Sequence, residues 1–487
     1  MKKITSILII TFFSLFAQAQ ISFERTYSDS GITNAYDIIT TYDGGYAVTG
    51  FKTCSVFNCL DFFLLKLDSL GNVEWVRLYD GFGFDDLPYS LIQTTDSGYV
   101  MAGYSSTPPN LGVNVRLLKV DKNGNELWDR NYGGTGCERG WDVEQTFDGG
   151  FIIATQADTG GTCNEIQIEL IKTDALGIIE WQTQYHNAGQ GRAVAVKQTA
   201  DSGFVCTGVT NFMITTTSGE DVFLLKTDKN GNEQWVKFYG NEGAERGEDV
   251  IISADGGFVV VGHTQGFFNS NTIASYIIKT NNSGDTLWTK VYEKDDSNQS
   301  FKGVEDDNNN IVLIGSAAQF STSASSFYLL KLSNVGSKIW EKTFKDAPNS
   351  NTGARSVALA HDGGYIMCGI TSPSAQVYVV KTDTAGLIVG INEVTPTNNT
   401  TTVKVFPNPF NNYTTIDLTE LLESNPSITV SLIDLTGKIL YETTTTEHLF
   451  KLYNENYPKG MYLLMLKNKQ QQIITKKLIS RTLKIPF

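Results

Sequence analysis

The chain has 487 residues, of which 41% are hydrophobic and 45 are glycine, and its formal net charge is −14. This length exceeds that of one ordinary hydrophobic core, and the composition is that of a folded, turn-rich protein rather than a disordered one. Residues 401–487 hold ten Lys and Arg against seven Asp and Glu, so the acidic excess lies in the rest of the chain. An acidic surface argues against nucleic acid and anionic membranes as partners.

The first residues have the pattern of an export signal. Met1-Lys2-Lys3 is positively charged, Ile4 to Phe16 is largely apolar, and Ala17-Gln18-Ala19 is a small-x-small cleavage site. The apolar run is shorter than the roughly 20 residues that a membrane-spanning helix needs. We therefore predict a signal peptide over residues 1–19 and an exported chain that passes through the periplasm.

Two markers recur along the chain at a nearly constant spacing. The first is a tryptophan, found at Trp75, Trp128, Trp181, Trp235, Trp288 and Trp340, with spacings of 53, 53, 54, 53 and 52 residues. The second is an Asp-Gly/Ser-Gly-aromatic turn, which begins at Asp43, Asp96, Asp148, Asp201, Asp255 and Asp362, with a degenerate copy at Asp307-Asn308-Asn309-Asn310. Self-similarity at a fixed period is the sequence signature of a repeat architecture, and the turns number seven.

Each repeat contains four short extended runs separated by Gly, Asp and Asn turns, which is the signal of β-strands. The run Val222-Phe223-Leu224-Leu225 is apolar at every position, so it predicts a strand that is buried on both faces. Stacked sheets bury strands in this way. Four strands in about 53 residues therefore predict an all-β fold, a seven-bladed β-propeller.

The two ends of the repeat region predict how the ring closes. The last repeat lacks its tryptophan strand, whereas Phe23-Glu24-Arg25-Thr26-Tyr27 matches Trp235-Val236-Lys237-Phe238-Tyr239. We expect the N-terminal strand to complete the seventh blade, so that the propeller spans residues 20–388. Residues 389–402 read as a Thr/Asn-rich linker, and residues 403–487 as a small, Ig-like β-sandwich.

Ordered blocks in the last domain carry a resemblance to a known family. The blocks are Val405-Phe406-Pro407-Asn408-Pro409-Phe410, Val430 to Lys438, Tyr457-Pro458-Lys459-Gly460-Met461-Tyr462, and Lys476-Lys477-Leu478-Ile479. In this order and spacing they resemble the type A sorting domain of the type IX secretion system of Bacteroidetes. The resemblance implies partnership with that translocon and its sorting protease, followed by release or attachment at the outer-membrane surface. It assigns the sorting signal to Pro407, Asn408, Pro409, Gly437, Gly460, Lys476 and Lys477.

The repeats themselves are similar to Asp-Gly-Gly-Phe repeat proteins, which often carry such sorting domains and are mostly of undefined function. The turn Asp121-Lys122-Asn123-Gly124-Asn125-Glu126-Leu127-Trp128 also resembles the tryptophan-docking turn of quinoprotein propellers. The cofactor-contacting residues of those enzymes have no match here. We therefore expect shared blade mechanics and no cofactor.

Four arginines are the candidate ligand-binding residues. Arg139, Arg192 and Arg246 each stand nine residues before the turn Asp, and Arg355 stands seven before it. Closure of the ring would bring them to one mouth of the central channel, where guanidinium groups could hold a carboxylate, sulfate or phosphate. The alternative is that they pair with nearby acids, namely Glu138, Asp142, Glu245, Glu248 or Asp249.

The six cysteines fall into two sets. Export permits disulfides, and we expect Cys137 to pair with Cys163 and Cys54 with Cys59, because each pair would share one face of the ring. Cys206 and Cys368 occupy inner-blade strands and are expected to be buried free thiols. Since there is no CxxC motif and only four His, no metal site is predicted.

Two motifs that suggest chemistry are better explained as turns. The run Asp-Lys-Asn-Gly-Asn-Glu at Asp121 and Asp228 offers oxygen ligands, but its Gly is fourth rather than sixth as in an EF-hand loop. Ser97 and Ser202 occupy the position at which other repeats have Gly149 or Gly256, so a turn is favoured over a nucleophile.

The sequence thus predicts an exported, non-catalytic propeller that binds a glycan or a protein through its loops or its channel mouth. The variable loops are predicted at residues 51–61, 104–114, 156–166, 210–220, 263–274, 316–326 and 370–376. Two alternatives remain open: a secreted polysaccharide hydrolase or lyase with carboxylates at the channel mouth, and a structural envelope scaffold.

Overall fold

The structure is a computed structural model of the full chain, and it divides into two compact units, residues 21–389 and a unit that contains residues 390–487. It describes residues 21–28, 31–53, 59–81, 85–106, 112–134, 136–158, 165–211, 219–240, 243–265, 272–294, 297–319, 324–347, 350–372, 375–388, 403–408, 410, 412–433, 439–453, 460–468 and 473–480. The predicted signal peptide and linker, and Cys54, Cys163, Pro409 and Gly437, lie outside these ranges.

The first unit consists almost entirely of short strands. In chain order they are β1 (Phe23–Tyr27), β2 (Ile32–Thr40), β3 (Tyr46–Thr53), β4 (Leu60–Leu67), β5 (Val73–Tyr79), β6 (Asp86–Gln93), β7 (Tyr99–Ser106), β8 (Val113–Val120), β9 (Glu126–Tyr132), β10 (Arg139–Gln145), β11 (Phe151–Asp158), β12 (Ile166–Thr173), β13 (Ile179–Gln184), β14 (Gly191–Gln198), β15 (Phe204–Thr210), β16 (Asp221–Thr227), β17 (Glu233–Tyr239), β18 (Ala244–Ile252), β19 (Phe258–Gln265), β20 (Ile273–Thr280), β21 (Thr286–Tyr292), β22 (Ser297–Glu305), β23 (Ile311–Gln319), β24 (Ala324–Leu332), β25 (Lys338–Phe344), β26 (Asn351–Leu359), β27 (Tyr365–Ser372) and β28 (Gln376–Thr382).

These strands form the seven blades of a β-propeller. Blade 1 is β2 to β5, and each following group of four consecutive strands forms the next blade, up to blade 6 with β22 to β25. Within every blade neighbouring strands pair antiparallel. Blade 7 consists of β26, β27, β28 and β1, and the N-terminal strand pairs with β28 in the register Phe23↔Lys381 to Tyr27↔Val377. The first strand of the unit therefore completes the last sheet, and the ring has no open seam between its blades.

The third strand of each blade supplies the core. Val222, Phe223, Leu224 and Leu225 are all 0% exposed, as the unbroken apolar run predicts. Their side chains pack against the preceding blade on one face and the following blade on the other. Blade-to-blade stacking is thus the hydrophobic core of this unit.

The repeat tryptophans dock each blade onto its neighbour. Trp75 of blade 1 lies edge-on to Tyr99 of blade 2, with ring centroids 6.2 Å apart. Its ring also covers Gly124, where an added Cβ would meet it at 2.9 Å and where φ is +79°. Only glycine takes this conformation beneath a ring without strain. The tryptophans therefore have a structural role in the blades.

A tyrosine repeats the docking contact with a hydrogen bond. At six junctions its hydroxyl donates to a glycine carbonyl of the next blade over 2.5–2.9 Å; the pairs are Tyr27–Gly71, Tyr79–Gly124, Tyr132–Gly177, Tyr185–Gly231, Tyr239–Gly284 and Tyr292–Gly336. Since the hydroxyl is satisfied across the junction, the aromatic body can be buried.

A buried lysine of the third strand holds the turn of every blade. Its Nζ lies 2.6–3.0 Å from a turn carboxylate in the pairs Lys66–Asp43, Lys119–Asp96, Lys172–Asp148, Lys226–Asp201, Lys279–Asp255, Lys331–Asp306 and Lys381–Asp362. In blade 6 the turn is formed by Asp306 to Asn310 and Asn308 holds the position of Asp43, so the degenerate copy predicted from Asp307 was placed one residue early.

The turn interpretations of the sequence are confirmed. Ser97 and Ser202 have φ of 66°, the left-handed conformation that glycine adopts in the other blades. Asp121 Oδ1 accepts the backbone N–H groups of Asn123 and Asn125, both over 2.8 Å. These side chains are therefore used to shape hairpin turns.

The second unit has two sheets. Its elements are β29 (Lys404–Phe406), β30 (Tyr413–Asp417), α1 (Thr419–Ser424), β31 (Ile428–Ile433), β32 (Ile439–Thr445), β33 (Leu449–Tyr453), β34 (Gly460–Lys467) and β35 (Ile473–Ser480). One sheet has the order β29-β30-β33 and the other β32-β31-β34-β35. Ile416, Val430 and Leu464, each 0% exposed, belong to the core between them, so the predicted small β-sandwich is present.

The sequence did not predict α1 or β33. The helix has only six residues, and β33 has only five and does not alternate apolar and polar residues, so neither leaves a clear periodic pattern. In the part of the chain that the structure describes, no helix has the length and apolar character needed to cross a membrane.

Candidate functional site

Every innermost strand of the propeller carries a β-bulge at the same position. The residue left out of the pairing register is Tyr36, Tyr89, Trp141, Val194, Glu248, Phe301 and Arg355 in blades 1 to 7. All seven residues line one cavity of about 260 Å³ in the central channel. A bulge re-aims a side chain out of the ladder, and here it does so seven times around one axis.

Aromatic rings form a continuous wall on one side of this cavity. Tyr89 and Trp141 stack with centroids 4.6 Å apart, and Tyr36 meets Tyr89 edge-on at 5.2 Å. The guanidinium carbon of Arg355 lies 5.1 Å from the centroid of Tyr36 and 5.5 Å from that of Phe301. The wall thus runs without a break from blade 6, through the closing blade, to blade 3.

The candidate arginines lie at or beside this wall. Arg192 covers Trp141 at 5.1 Å, and Arg139 covers Tyr104 at 5.0 Å. The Nε atoms of Arg139 and Arg192 are buried and have no hydrogen-bond acceptor among the described residues. Guanidinium groups that stack through their faces keep their edge N–H groups for an acceptor, so these two arginines are equipped to bind an anion.

Arg246 is different, because it is already paired. Its Nε lies 2.5 Å from Glu220 Oε2, an acid outside the set of partners considered from the sequence. Sequence spacing could not reveal this pair, since Glu220 precedes the third strand of the preceding blade. The charge of Arg246 is therefore balanced by Glu220.

Three buried or half-buried aspartates lie one residue beyond the bulge in blades 1, 3 and 5. Each accepts a backbone N–H from the next blade over 2.9–3.0 Å, in the pairs Asp37–Leu91, Asp142–Val196 and Asp249–Gly303. Lys302 Nζ lies 2.5 Å from Asp37, and Lys197 Nζ lies 3.4 Å from Asp142. Lysines and backbone amides, rather than the arginines, compensate Asp37 and Asp142.

Glu248 and His263 form a titratable pair that interacts electrostatically with the arginines. Burial raises the pKa of Glu248 to about 7, against the opposing charges of Arg192, Arg246 and Arg355. Burial and the charge of Arg246 lower the pKa of His263 to about 4. His263 Nδ1 lies 3.7 Å from Glu248 Oε1, so near neutral pH an uncharged imidazole faces a carboxyl group that is about half protonated. Such a pair can exchange a proton with a bound molecule.

The site residues that the sequence missed share one signal. Each of the seven bulged residues stands seven residues before the position that Asp43 holds in blade 1. In blade 6 that position is held by Asn308. Trp141 is the one tryptophan that falls outside the repeat series. An alignment of the seven repeats would have shown this position. A search for shared residue types does not find it, because the residue at this position differs in type between blades.

The structure tests part of the cysteine prediction. Cys206 and Cys368 are buried free thiols, as predicted. Cys59 and Cys137 are disulfide-bonded. The pairings Cys54–Cys59 and Cys137–Cys163 stay predictions, because Cys54 and Cys163 lie outside the described residues. The same holds for the middle of each predicted variable loop.

In the second unit the described residues of the predicted sorting signal lie in strands or directly beside them. Pro407 follows β29 after a cis peptide bond, and its carbonyl accepts the Thr414 hydroxyl over 2.8 Å. Gly460 begins β34, and Lys476 and Lys477 lie in β35. Residues 404–481 match the family of secretion system C-terminal sorting domains.

The C-terminal domain is a type IX secretion sorting domain.

A chain with this sorting domain is exported by the type IX system and is released or held at the cell surface. The machinery of that system is therefore a partner of the sorting domain. The match covers the C-terminal domain alone and assigns nothing to the propeller. A search of curated proteins returned no match to this sequence.

Solved structures resemble the propeller. A PL25 polysaccharide lyase, an ulvan lyase bound to -[GlcA(1-4)Rha3S]-, is 9% identical, covers 74% of this chain and 96% of its own, and superposes with a TM-score of 0.51. A second structure of a PL25 ulvan lyase is 8% identical over the same shares, with a TM-score of 0.50. The β-propeller domain of the Trilobed protease from Pyrococcus furiosus is 9% identical, covers 74% of this chain and 97% of its own, and has a TM-score of 0.44. At these identities the likeness concerns the fold.

Proposed function

We propose that the exported propeller is a non-catalytic binding protein that holds an acidic glycan at its channel mouth. The observation that carries the proposal is the set of seven bulges, which gathers an aromatic wall and Arg355 around one cavity. Ligand pockets typically combine aromatic walls with a few polar groups that fix orientation. The candidate mouth has this composition.

The arginines support an anionic ligand. Arg139 and Arg192 lack hydrogen-bond acceptors for their buried Nε atoms, and a buried unmet donor costs about 1–3 kcal/mol. A carboxylate or sulfate accepts from guanidinium groups in a bidentate manner. Since the channel aspartates accept from lysines and backbone amides, they do not compete for these two donors.

The rings support a saccharide as the carrier of that charge. Tyr and Trp offer large, rigid surfaces with a polar edge, at little cost in conformational entropy. Tyr36, Tyr89 and Trp141 are half-buried, so part of each ring remains open to the cavity that they line. The lyase that shares the fold was determined with a glycan, which guides the choice of probe but assigns no ligand here.

The test is calorimetric titration of the purified protein with three polysaccharides: one that contains uronate, one that is sulfated, and one that is neutral. We expect the acidic polymers to bind and the neutral one to bind at least ten times more weakly. Equal binding of all three, or no binding of any, would refute an anion site. Arg355→Met should weaken the acidic polymers selectively.

A second candidate is supported by Glu248 and His263. A polysaccharide lyase abstracts a proton beside a carboxylate, and a hydrolase uses a carboxyl group as an acid or base. Arginines that neutralise a uronate next to a proton-accepting pair would suit the first reaction. If the protein releases unsaturated products from the uronate polymer, and Glu248→Gln stops the release while binding persists, the enzyme reading replaces the binding one.

A further inference from the structure

A second, smaller hollow opens next to the channel cavity, at the end of blade 4 where β14 begins. It has a volume of about 140 Å³, and its lining includes Gln190, Gly191, Arg192 and Asn211, with Ile166 of blade 3. Among the described residues, none lines both this hollow and the channel cavity. The hollow is therefore a separate space beside the channel-mouth site.

Blade 4 differs from its neighbours at this point. Three residues before the bulge, blades 2, 3, 5 and 6 carry a buried acid or amide; these residues are Asp86, Glu138, Glu245 and Asn298. Blade 4 has Gly191 there, and a Cβ added to Gly191 would meet the Val209 carbonyl oxygen at 2.2 Å or closer, namely 2.0 Å. No side chain fits without a backbone shift, so blade 4 places no carboxylate at this position to pair with Arg192.

Arg192 joins the hollow to the aromatic wall. It lines the hollow, and its guanidinium carbon lies 5.1 Å from the centroid of Trp141, which lines the channel cavity. The wall continues from Trp141 to Tyr89, whose ring stacks on it at 4.6 Å. A chain molecule that lies along the wall therefore reaches the hollow by passing Arg192.

The Nε–H of Arg192 is a buried donor without an acceptor among the described residues. Glu220, the acid that lines the hollow, pairs with Arg246 over 2.5 Å. Burial lowers the pKa of Arg192 although Glu248 and Glu220 oppose this effect, and the like charge of Arg246 lowers it further. Since buried donors normally have partners, an accepting group is missing here, and an anionic ligand supplies one.

Two amides of the hollow add further donors. Asn211 Oδ1 accepts the backbone N–H of Gln190 over 3.0 Å, and Asn211 Nδ2 donates to Gln190 Oε1 over 3.2 Å. Because a backbone N–H can only donate, this pair fixes the orientation of the Asn211 amide. Each amide nitrogen carries two hydrogens, and the described residues accept only one of them. Amide and guanidinium donors thus line one space.

We propose that this hollow is a second subsite, which takes a charged unit of an acidic glycan while the adjoining unit lies on the aromatic wall. The inference rests on the proposed function, because it extends the same ligand beyond the channel mouth. Ile166 and Val209, which also line the hollow, suit the apolar face of a sugar ring. The preferred ligand is therefore an oligomer of at least two units rather than a single acidic sugar.

The experiment titrates the purified protein calorimetrically with a uronic acid and with its linear tetramer. The native chain is expected to bind the tetramer about ten times more tightly than the monomer or better, the factor that one charge-assisted hydrogen bond supplies. Asn211→Asp places a carboxylate in the hollow, so it should weaken tetramer binding about tenfold or more and remove most of the advantage over the monomer. Asn211 is exposed, so the variant should fold.

Asn282→Asp is the matched control, because Asn282 is exposed in the turn between β20 and β21, at the opposite ends of the strands from Asn211. It adds the same charge and should leave both affinities unchanged. Asn211→Ser removes the amide without adding a charge, and it should weaken tetramer binding less than Asn211→Asp does.

The outcomes separate the subsite from the channel-mouth site. If the tetramer binds no more tightly than the monomer, or if Asn211→Asp and Asn282→Asp bind the tetramer equally, the second subsite is refuted while acid binding at the mouth stands. If neither compound binds the native chain, both proposals fail.

Discussion

The rings of Tyr89 and Trp141 stack with centroids 4.6 Å apart and 19° between their planes. One ring belongs to blade 2 and the other to blade 3, and the guanidinium carbon of Arg192 of blade 4 lies 5.1 Å from the Trp141 centroid. Three consecutive blades therefore contribute to the contacts of Trp141. Their geometry depends on the blade spacing that the docked tryptophans and tyrosines maintain.

Replacement of Arg192 by Met should weaken binding of an acidic polysaccharide about tenfold or more. A hydrogen bond to a charged group contributes about 1.5–3 kcal/mol, and 1.4 kcal/mol corresponds to a factor of ten. Arg130→Met is the matched control, because Arg130 covers Trp128 at 5.5 Å in the same manner but lies in an outermost strand. Calorimetric titration of both variants checks the prediction, and equal losses would contradict it.

Glu248 should lower the stability of the propeller as the pH rises from about 4.5 to about 7, whereas His263, whose pKa burial lowers from 6.5 to about 4, should raise the stability between those two values. Glu248 has an ordinary pKa of 4.5 and a folded pKa of about 7 because of burial, so between these values the folded chain binds more protons than the unfolded one. Its contribution is on the order of 3 kcal/mol. Denaturant titrations across this range should show that the unfolding free energy of Glu248→Gln changes with pH in a more positive direction than that of the native chain, and equal changes would contradict the prediction. The variant retains the fall due to Asp249, whose pKa burial raises to about 6.

Anion binding should follow the same titration. Protonation of Glu248 removes a negative charge beside Arg192, Arg246 and Arg355, so affinity for an acidic glycan should rise as the pH falls through about 7. Glu248→Gln should bind tightly at both ends of the range. A native affinity that is constant with pH would show that Glu248 does not face the ligand.

Asp362→Asn should destabilise the propeller by about 3 kcal/mol or more, because it leaves the charge of a buried lysine without its carboxylate. Lys381 is 0% exposed, and its Nζ lies 2.8 Å from Asp362. Asp285→Asn breaks the exposed pair with Lys237 and should cost much less stability, because water and salt screen that pair. Urea unfolding of the two variants compares the buried and exposed pairs directly.

Tyr132→Phe should cost more stability than Tyr27→Phe. Tyr132 donates to the Gly177 carbonyl over 2.8 Å, and loss of such a buried bond costs about 1–2 kcal/mol. At the closing junction the Gly71 carbonyl accepts from both Tyr27 and Arg25, each over 2.7 Å, so it keeps a donor after Tyr27→Phe. Equal unfolding free energies for the two variants would mean that the Arg25 bond contributes nothing.

Deletion of residues 403–487 should hold the propeller in the periplasm. The sorting domain is the part that the type IX machinery recognises, and the predicted signal over residues 1–19 acts before that step. Fractionation followed by immunoblotting should find the truncated chain inside the outer membrane and the full chain outside. Unchanged export of the truncation would contradict the assignment.

The blades could be predicted from the sequence because each repeat must solve the same packing problem. Trp75 and its counterparts, the Asp43-type turns and the apolar third strands are identical contacts made again and again, so they leave a periodic signal. The sorting domain left ordered blocks of its own. These features were enough to predict the propeller and the sorting domain.

The candidate site was found only in part. Spacing placed Arg139 and Arg192 near the mouth, but the aromatic wall of Tyr36, Tyr89 and Trp141 was missed. A bulge shifts the alternation of inward and outward side chains by one residue, and periodicity alone does not show where the shift occurs. The Arg246–Glu220 pair joins two blades through residues 26 positions apart, which is likewise invisible before folding.

The bulges also separate two requirements on a strand residue, namely strand pairing and the function of its side chain. A residue in a strand must suit its ladder as well as its task, whereas the extra residue of a bulge is outside the pairing register. Tyr36, Glu248 and Arg355 differ in size and charge yet occupy equivalent sites in their blades. The channel thus has seven equivalent positions whose side chains can differ while the surrounding strands keep the same structure. A substitution of one bulged residue can therefore change ligand preference while the strands of each blade keep their pairing.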